Sequence, residues 1–494
     1  MFLLYFVLCC VCAVFVRFKW RAKNQRLLEL AALTPTLKGG FPVLGNALVF
    51  HGDSVHLWKA FQRVMKETNA AGGVLAIWLG PSLHYMITDP EDAVMVMNNC
   101  LEKNRYIYDM GNVFLGSSLI NADVSRWKRN RKLFNPSFSQ HMLNRFQFVF
   151  NLQARNLVRS LEPLAGQGAT TVWTQVADVA ITTVCMTVLG ISKANESLVS
   201  ENYKAAVASI FAVFSERISK VILHPEMLFN MSPLKKTQDH LMKTIRSQSA
   251  QVVTQRKKER AAEKDDTKTR SSVGHRFESF LDILLDLVDD NLFEEHEVQD
   301  EMNSVISAGY DTLSTSIPYT LMLIGSHPEV QKKLYEEIIT VVGPDEEITN
   351  HHNLPYLDAV FKESLRLYPP VPIISRDCDE EIQLKNYKLP AGCHCTIGLW
   401  AIQRLPIWGP DAEQFRPERW LNPGSLPTNL SAYCAFSIGK RNCLGKFYSV
   451  LFTKTVLSYV VRRFHISADI NELKFKFEIL LKPTGADRVT LELR

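Results

Sequence analysis

The sequence has no G-x-G-x-x-G and no P-loop, and Gly166-Gln167-Gly168 stops short of a third glycine. Without such a loop to bring backbone N–H groups against phosphates, the chain carries no nucleotide domain of its own. It also lacks H-E-x-x-H, and its ten cysteines are scattered with no compact framework. A zinc site is therefore not expected, and the body of the protein is read as sitting in a reducing compartment. Cys393-His394-Cys395 comes nearest to a metal cluster, since on a strand both sulfurs would face one way. With no second pair to complete a ligand set, these cysteines read as core packing. Charge of one sign is scarce too. The 56 basic and 51 acidic residues leave a net charge of +5, too mild for this length to argue for nucleic acid. No internal repeat is apparent.

Apolar residues are plentiful, at 46% of the chain, and supply a large core. Residues 1–16 contain no charge, and Arg17, Lys19, Arg21, Lys23 and Arg26 follow at once. Sixteen apolar residues fall just below the usual spanning length of about 17 to 25. Phe18 and Trp20 extend the run into an interfacial belt, and the thin bilayer of the endoplasmic reticulum helps. A cleaved signal peptide carries its charges before the apolar run and a small-residue site after it. Here the charges come after, and no A-x-A-like site is visible. The expectation is a transmembrane anchor over residues 1–20, with the catalytic body on the cytosolic side of the endoplasmic reticulum membrane.

Residues 21–46 are basic and then rich in Pro and Gly, which predicts an extended hinge between anchor and body. Residues 47–494 are expected to form one body. Apolar alternation predicts strands over Val74–Leu79 and 85–88 around Gly80-Pro81, then mostly helix from Pro90 to about Tyr368. The charge-dense stretch 256–276 reads as a solvated loop between helices. Short apolar runs over 373–398 suggest a small sheet, and residues 478–494 read as a hairpin around Pro483-Thr484-Gly485.

The most informative stretch is Phe436-Ser437-Ile438-Gly439-Lys440-Arg441-Asn442-Cys443-Leu444-Gly445, which sets one cysteine between two glycines and before a helical pattern. Glycine allows the tight turn that points main-chain N–H groups at the sulfur, and the following helix N-terminus favours its anionic form. A cysteine thiolate so placed suits an iron ligand that pushes electron density toward O–O cleavage. A lone cysteine is by default an inert core residue. Five fixed residues at fixed spacing, however, arise by chance in such a chain on the order of once in ten thousand. The run resembles the haem-binding signature F-x-x-G-x-R-x-C-x-G of the cytochrome P-450 monooxygenases.

Other segments fit that resemblance, which covers nearly the whole chain. Ser307-Ala308-Gly309-Tyr310-Asp311-Thr312 lies in a long helical run, 294–326. A glycine there costs roughly 1 kcal/mol relative to alanine, so close approach of a ligand or cofactor is a candidate reason for it. A threonine can turn its hydroxyl to the i−4 carbonyl and open a polar groove. The segment resembles the family's A-G-x-[DE]-T-[TS], which implies that Thr312 donates a hydrogen bond to bound dioxygen and Asp311 relays protons. Leu313 stands where a hydroxyl residue is usual, and Ala308 where related fatty-acid hydroxylases carry the glutamate that can esterify haem. Haem b is therefore expected to be non-covalent, with Cys443 as its axial ligand and Phe436 beside it. Trp127-Lys128-Arg129-Asn130-Arg131 resembles W-x-x-x-R, so the resemblance assigns Trp127, Arg131, Arg376 and Arg441 to the propionates. Glu363-Ser364-Leu365-Arg366 resembles the structural E-x-x-R, with Arg419 as its partner arginine. The segment 33–36 resembles the proline-rich hinge of membrane-bound members, with Thr34-Pro35-Thr36 in place of Pro-Gly-Pro.

The resemblance implies a mainly α cytochrome P-450 fold with a minor β region behind an N-terminal transmembrane helix. It also implies electrons from an NADPH-dependent flavoprotein reductase, with cytochrome b5 as a second donor. Lys128, Arg129, Lys132, Lys440 and Lys446 could form a basic docking face for an acidic reductase. Segments 106–120, 209–228, 371–374 and 479–480 are expected to line the substrate site, with Phe114, Phe211 and Phe214 prominent. Their apolar character favours a lipophilic substrate: a fatty acid, a hormone-like lipid or a xenobiotic. The match is nearest to the branch of fatty-acid hydroxylases and many arthropod microsomal enzymes. The rival readings are a haem-thiolate isomerase or dehydratase acting on peroxides, which needs no proton relay, and a non-catalytic haem-binding protein.

Overall fold

The computed structural model describes residues 19–190, 200–265, 279–349, 353–485 and 487–494; the uncharged run of the expected anchor lies outside them. No helix among the described residues is long and apolar enough to cross a membrane. The principal helices are α1 Gln25–Ala32, α2 Ser54–Ala70, α3 Pro90–Asn99, α4 Val124–Phe134, α5 Gln140–Leu161, α6 Trp173–Leu189 and α7 Glu201–Ser219. They continue as α8 Pro233–Asp265, α9 Phe280–Asp289, α10 Val298–Ser326, α11 Pro328–Val341, α12 Pro355–Leu367 and α13 Lys446–Arg463. The fold is mainly helical with a minor sheet region, as the sequence predicts.

Local chemistry sets the boundaries. Asp89 caps α3 by accepting from the N–H groups of Glu91 and Asp92, with Pro90 as the first helical residue. Ser279 and Asp282 form a capping box at the start of α9. The centre of the body is α10, which is buried on nearly every side and so runs through the core. It packs most closely on α6, where a Cβ added to Gly309 would lie 3.1 Å from Val184 Cγ2. The glycine thus allows close helix–helix contact with α6.

The main sheet has the order β1-β2-β7-β4. Its β1 Val74–Leu79 and β2 Ser82–Ile87 form an antiparallel hairpin; β7 His394–Ile397 runs parallel to β2, and β4 Ile374–Asp377 antiparallel to β7, while β5 Ile382–Gln383 and β6 Lys388–Leu389 pair separately between β4 and β7 in the chain. The expected hinge, 21–46, is not extended throughout: Gln25–Ala32 is the helix α1, and only the Pro- and Gly-rich part after it is extended, and that part is not free. Its backbone is tied to β1 by Leu37 N–H to Ala76 O at 2.9 Å, and by Ala76 N–H to Pro35 O at 2.7 Å.

Two expectations fail. The hairpin around Pro483-Thr484-Gly485 does not form: β10 Leu480–Pro483 folds back on β9 Phe475–Glu478 through Ile479, whose φ is +64°. The last strand, β11 Arg488–Leu493, pairs instead with β8 Phe464–Ser467 and β3 Thr170–Thr171. Leu481 explains the difference, because its N–H donates to Pro370 O and its carbonyl accepts from Tyr319, which fixes β10 against α10. The charge-dense stretch is also not all loop. Residues 256–265 continue α8, and Arg256 is buried against Asp282 at 2.5 Å; residues 266–276 lie outside the described residues.

The E-x-x-R pair does form, fully buried, with its expected third member. Glu363 accepts two bonds from Arg366 at 2.8 Å, one from Arg419 at 2.8 Å and one from the Trp420 indole at 2.9 Å. Both guanidinium groups spend further N–H donors on loop carbonyls, from Gln403 and Ala412 to Trp408 and Asp411. One carboxylate thereby joins α12 to the loop that leads toward Cys443.

Candidate active site

The loop before α13 is built around its cysteine. Cys443 N–H donates to Phe436 O at 2.9 Å, which closes a turn in which Ser437 has φ +64° and Gly439 φ +74°. A Cβ on Gly439 would stand 2.7 Å from Met97 O, so only glycine fits between the loop and α3. The backbone N–H of Gly445, the residue before α13, favours the ionised Cys443 sulfur. Cys443 is the one exposed cysteine among those described, yet it lies deep in the body and burial pushes its thiol pKa up. A sulfur both exposed and deep faces an internal hollow. The Gly445 N–H and the charges of Arg131 and Lys446 oppose burial and favour the thiolate.

The cations assigned to the propionates divide into two kinds. Arg131 is engaged: it donates to Asn442 O at 2.7 Å, Asn442 Oδ1 at 2.8 Å and Asn135 Oδ1 at 2.9 Å, which clamps α4 to the cysteine loop. Arg441 gives one nitrogen to Ala122 O at 2.7 Å and stacks 4.8 Å over the Trp127 ring, while its Nε and Nη1 are buried without partners. Arg376, on β4, is buried with an unpartnered Nε. Lys103, which sequence reasoning missed, pairs with Arg376 through the backbone. Burial, Arg376 and Arg441 together push its pKa well below the ordinary lysine value. No carboxylate forms an ion pair with these three cations among the described residues, and their unused N–H donors suit a dianionic group. Nothing in the sequence marks Lys103, because only the fold brings it beside β4. Phe436 lies 5.9 Å from the Lys446 ammonium, and its backbone carbonyl is its link to Cys443.

On α10, the Thr312 hydroxyl donates to Ala308 O at 2.8 Å. Its proton is thus in use and its lone pairs are free. Asp311 is almost fully buried, and one carboxylate oxygen is held by Lys482 of β10 while the other has no partner. Burial pushes its pKa up and the Lys482 charge opposes that. Lys482 also donates to Thr315 at 2.9 Å and sits 5.4 Å over the Trp173 ring. Leu313 is packed into the core, so the next hydroxyls toward the C-terminus are those of Ser314 and Thr315, both bonded back to Asp311 O.

The sequence model of the cytochrome P450 family matches residues 35–490. The chain belongs to this family. Cytochrome P450 4c3 of Drosophila melanogaster is 29% identical over 490 residues, covering 95% of this chain and 92% of that protein. Cytochrome P450 4c21 of Blattella germanica is 27% identical, covering 98% and 97%, and cytochrome P450 4V2 of Mus musculus is 28% identical, covering 93% and 90%. A cytochrome P450 holds haem through a cysteine thiolate and works as a monooxygenase. The fit of this P450 to haem rests on the thiol in the hollow and on the unpaired donors of Arg376 and Arg441. Of the expected lining residues, Phe114 and Phe211 meet edge to face at 5.5 Å, and with Phe214 they wall a small apolar cavity of about 20 Å³. Of the basic residues considered for docking, Arg129 is taken by Glu297 at 2.7 Å, whereas Lys128, Lys132, Lys440 and Lys446 are exposed.

Proposed function

We propose that this P450 inserts one oxygen atom into a lipophilic substrate, with Cys443 as the axial thiolate and Lys103, Arg376 and Arg441 holding the propionates. The observation that carries the assignment is a deep, exposed thiol on a loop shared with a guanidinium that lacks an anionic partner. Bound haem would supply the activation of dioxygen. The chain's part is to tune the sulfur, bring protons and shape the hollow. The Gly445 N–H and the nearby cations temper the thiolate's basicity. Thr312, with free lone pairs, can accept a proton and pass on its own by releasing Ala308 O. Asp311 is the source behind it, since its unpartnered oxygen can hold a proton while Lys482 steadies the other.

Phe114, Phe211 and Phe214 favour a fatty acid, a hormone-like lipid or a xenobiotic as substrate. The relatives' origin in insects and mammals leaves the role open between those classes. Electrons would come from an NADPH-dependent flavoprotein reductase, with cytochrome b5 as a second donor. Lys128 and Lys132 flank Arg131, whose bond to Asn442 sets them beside Lys440 and Lys446 around the cysteine loop. Residues 1–20 would anchor the body (47–494) to the cytosolic face of the endoplasmic reticulum through the 21–46 segment. Exposed apolar side chains at Phe41, Val43 and Leu44 support a membrane-facing position for that segment.

The deciding experiment is the carbon monoxide difference spectrum of the reduced protein, followed by turnover of lipophilic substrates with reductase and NADPH. The long-wavelength band of thiolate haem is expected in the native protein and its loss in Cys443→Ala. The same band in Cys443→Ala would refute the ligand assignment.

A further inference from the structure

The cysteines that sequence reasoning set aside for want of a second pair do acquire one in the fold. Cys393 and Cys395 alternate along the strand that contains β7 and so present both sulfurs to one face. Beyond the end of β4, Cys378 lies opposite Cys393, with Cys378 N–H to Cys393 O at 2.9 Å and Gly392 N–H to Cys378 O at 2.7 Å. Cys100 follows the last residue of α3 and brings the fourth sulfur. The Cys378, Cys393 and Cys395 sulfurs all lie within 4.8 Å of one another. Cys100 and Cys378 sulfurs are 2.7 Å apart, and those of Cys378 and Cys395 3.3 Å. All four residues are at most 3% exposed, inside the small apolar core between the sheet and α3.

Four thiols in one apolar pocket are more than packing requires. A buried free cysteine acts as a small hydrophobe and gains nothing from another sulfur at 2.7 Å, where even carbon atoms prefer about 3.5–4.0 Å. A disulfide would use two of the sulfurs and leave the other two unexplained. A tetrahedral thiolate cage with metal–sulfur bonds of about 2.3 Å has sulfur–sulfur edges of about 3.8 Å. The Cys100–Cys378 and Cys378–Cys395 contacts are shorter than that edge, and Cys100 lies outside the group whose sulfurs are all within 4.8 Å, so closing the cage takes side-chain rotations, the largest at Cys100.

Two further observations point the same way. The Tyr85 hydroxyl is wholly buried without a hydrogen-bond partner, on the strand residue paired with Cys395, and is free to donate to a thiolate. A cleft of about 450 Å³ is lined by Cys100 together with Asp379, Glu380 and Glu381. Its acidic wall concentrates cations at the one cluster member it reaches.

We propose that Cys100, Cys378, Cys393 and Cys395 form a structural site for one zinc(II) ion, separate from the haem. Binding forms four Zn–S bonds and releases the four thiol protons to solvent, with no change of oxidation state. The resulting double negative charge has the Arg376 guanidinium close to Cys100 as partial compensation. The ion would pin the end of α3 to the β4 edge, three residues before Lys103 and two after Arg376.

The test is metal content of the haem-loaded full chain after passage over a chelating resin under thiol reductant. One zinc beside one iron per chain is expected. Zinc should fall below a tenth of that value in Cys393→Ala/Cys395→Ala, and stay at one in Cys185→Ala, which removes a lone buried cysteine elsewhere. Exchange of the native protein into cobalt(II) should give a thiolate-to-cobalt charge-transfer band and the intense visible bands of tetrahedral cobalt. That spectrum decides the matter if the double variant does not fold. Absence of zinc and of the cobalt bands would overturn the proposal, as would zinc retained by a folded double variant. So would two thiols that titrate only after reduction, which marks a disulfide. Iron and the carbon monoxide spectrum report the haem separately, so failure here leaves the monooxygenase reading standing.

Discussion

Glu301 lies in the first turns of α10 and is 1% exposed. Its carboxyl accepts from Leu119 N–H at 3.0 Å and from Asn130 Nδ2 at 2.7 Å, with no cation in contact. Burial, with Glu297 and Asp300 as like-charged neighbours, pushes its pKa up from 4.5 to about 7. Between those two values the folded chain binds the proton that the unfolded chain has released. Stability is therefore greatest below about 4.5 and is lost as pH rises toward 7. The full loss corresponds to about 3 kcal/mol. Glu301→Gln removes the titration and keeps the shape. One of the two hydrogen bonds then meets an N–H instead of an oxygen, at a cost of about 1 kcal/mol. The variant should be slightly weaker than the native protein at pH 4.5 and stronger by about 2 kcal/mol at pH 8, so the two stability profiles must cross. Urea midpoints followed by tryptophan fluorescence, for both proteins from pH 4.5 to 8, measure this. Parallel profiles would refute the argument, because they would mean that Glu301 ionises in the folded chain as it does unfolded.

Glu363→Gln leaves the fully buried Arg366 without its counter-charge and Arg419 with only the longer contact to Asp411 at 3.4 Å, and should cost about 3–5 kcal/mol. The exposed pair of Arg63 and Glu67 is the comparison, at about 0.2–1 kcal/mol; equal shifts in urea midpoint for Glu363→Gln and Arg63→Ala would defeat the reasoning. Thr312→Ala should keep haem and reduction rate but divert electrons to hydrogen peroxide, and unchanged product per NADPH would count against a role in proton delivery. Lys482→Met removes the cation beside Asp311 and pushes that carboxyl further up. The pH dependence of product per NADPH should then move to higher pH, and a superimposable profile would rule out Asp311 as the proton source.

What was legible in the sequence was whatever a short run of residues must do by itself. The cysteine loop is of this kind, since the positive φ of Gly439 and the N–H of Gly445 are local needs, and each fixes a residue type at a fixed offset from Cys443. Thr312 is another, because its hydroxyl answers a carbonyl four residues back. Glu363 was legible for a different reason: the i, i+3 arginine was visible, and the distant Arg419 was supplied by the family resemblance. Long-range partners were not legible. Lys482 stands 171 residues from Asp311, and nothing in Leu480–Pro483 distinguishes it from a solvated strand lysine. The misplaced hairpin has the same origin, for Leu481 is fixed by Pro370 and Tyr319, two partners that no turn signal announces. Gly309 signalled a close approach, and Val184 of α6 as the neighbour was not legible, since an unfavourable helical glycine does not say what comes close.

The three unpaired cations make one last connection between fold and cofactor. Lys103, Arg376 and Arg441 come from three separate segments; burial disfavours each as a charged group, and like-charged neighbours add to this for Lys103 and Arg441. Within the chain nothing described neutralises them, so bringing them together opposes folding. A buried charge without a partner is costly, and the cost is relieved only by an opposite charge with matching donors and acceptors. A group with two carboxylates meets that requirement, and haem carries two. The same residues that would hold the propionates therefore destabilise the chain without them, which couples loading of the cofactor to completion of the fold. Arg131 and Asn442 are outside that coupling, because their clamp on the cysteine loop is satisfied by the chain alone. The cysteine loop is thus held in shape by contacts internal to the protein, whereas Lys103, Arg376 and Arg441 are the part of the site whose charge a dianion would balance.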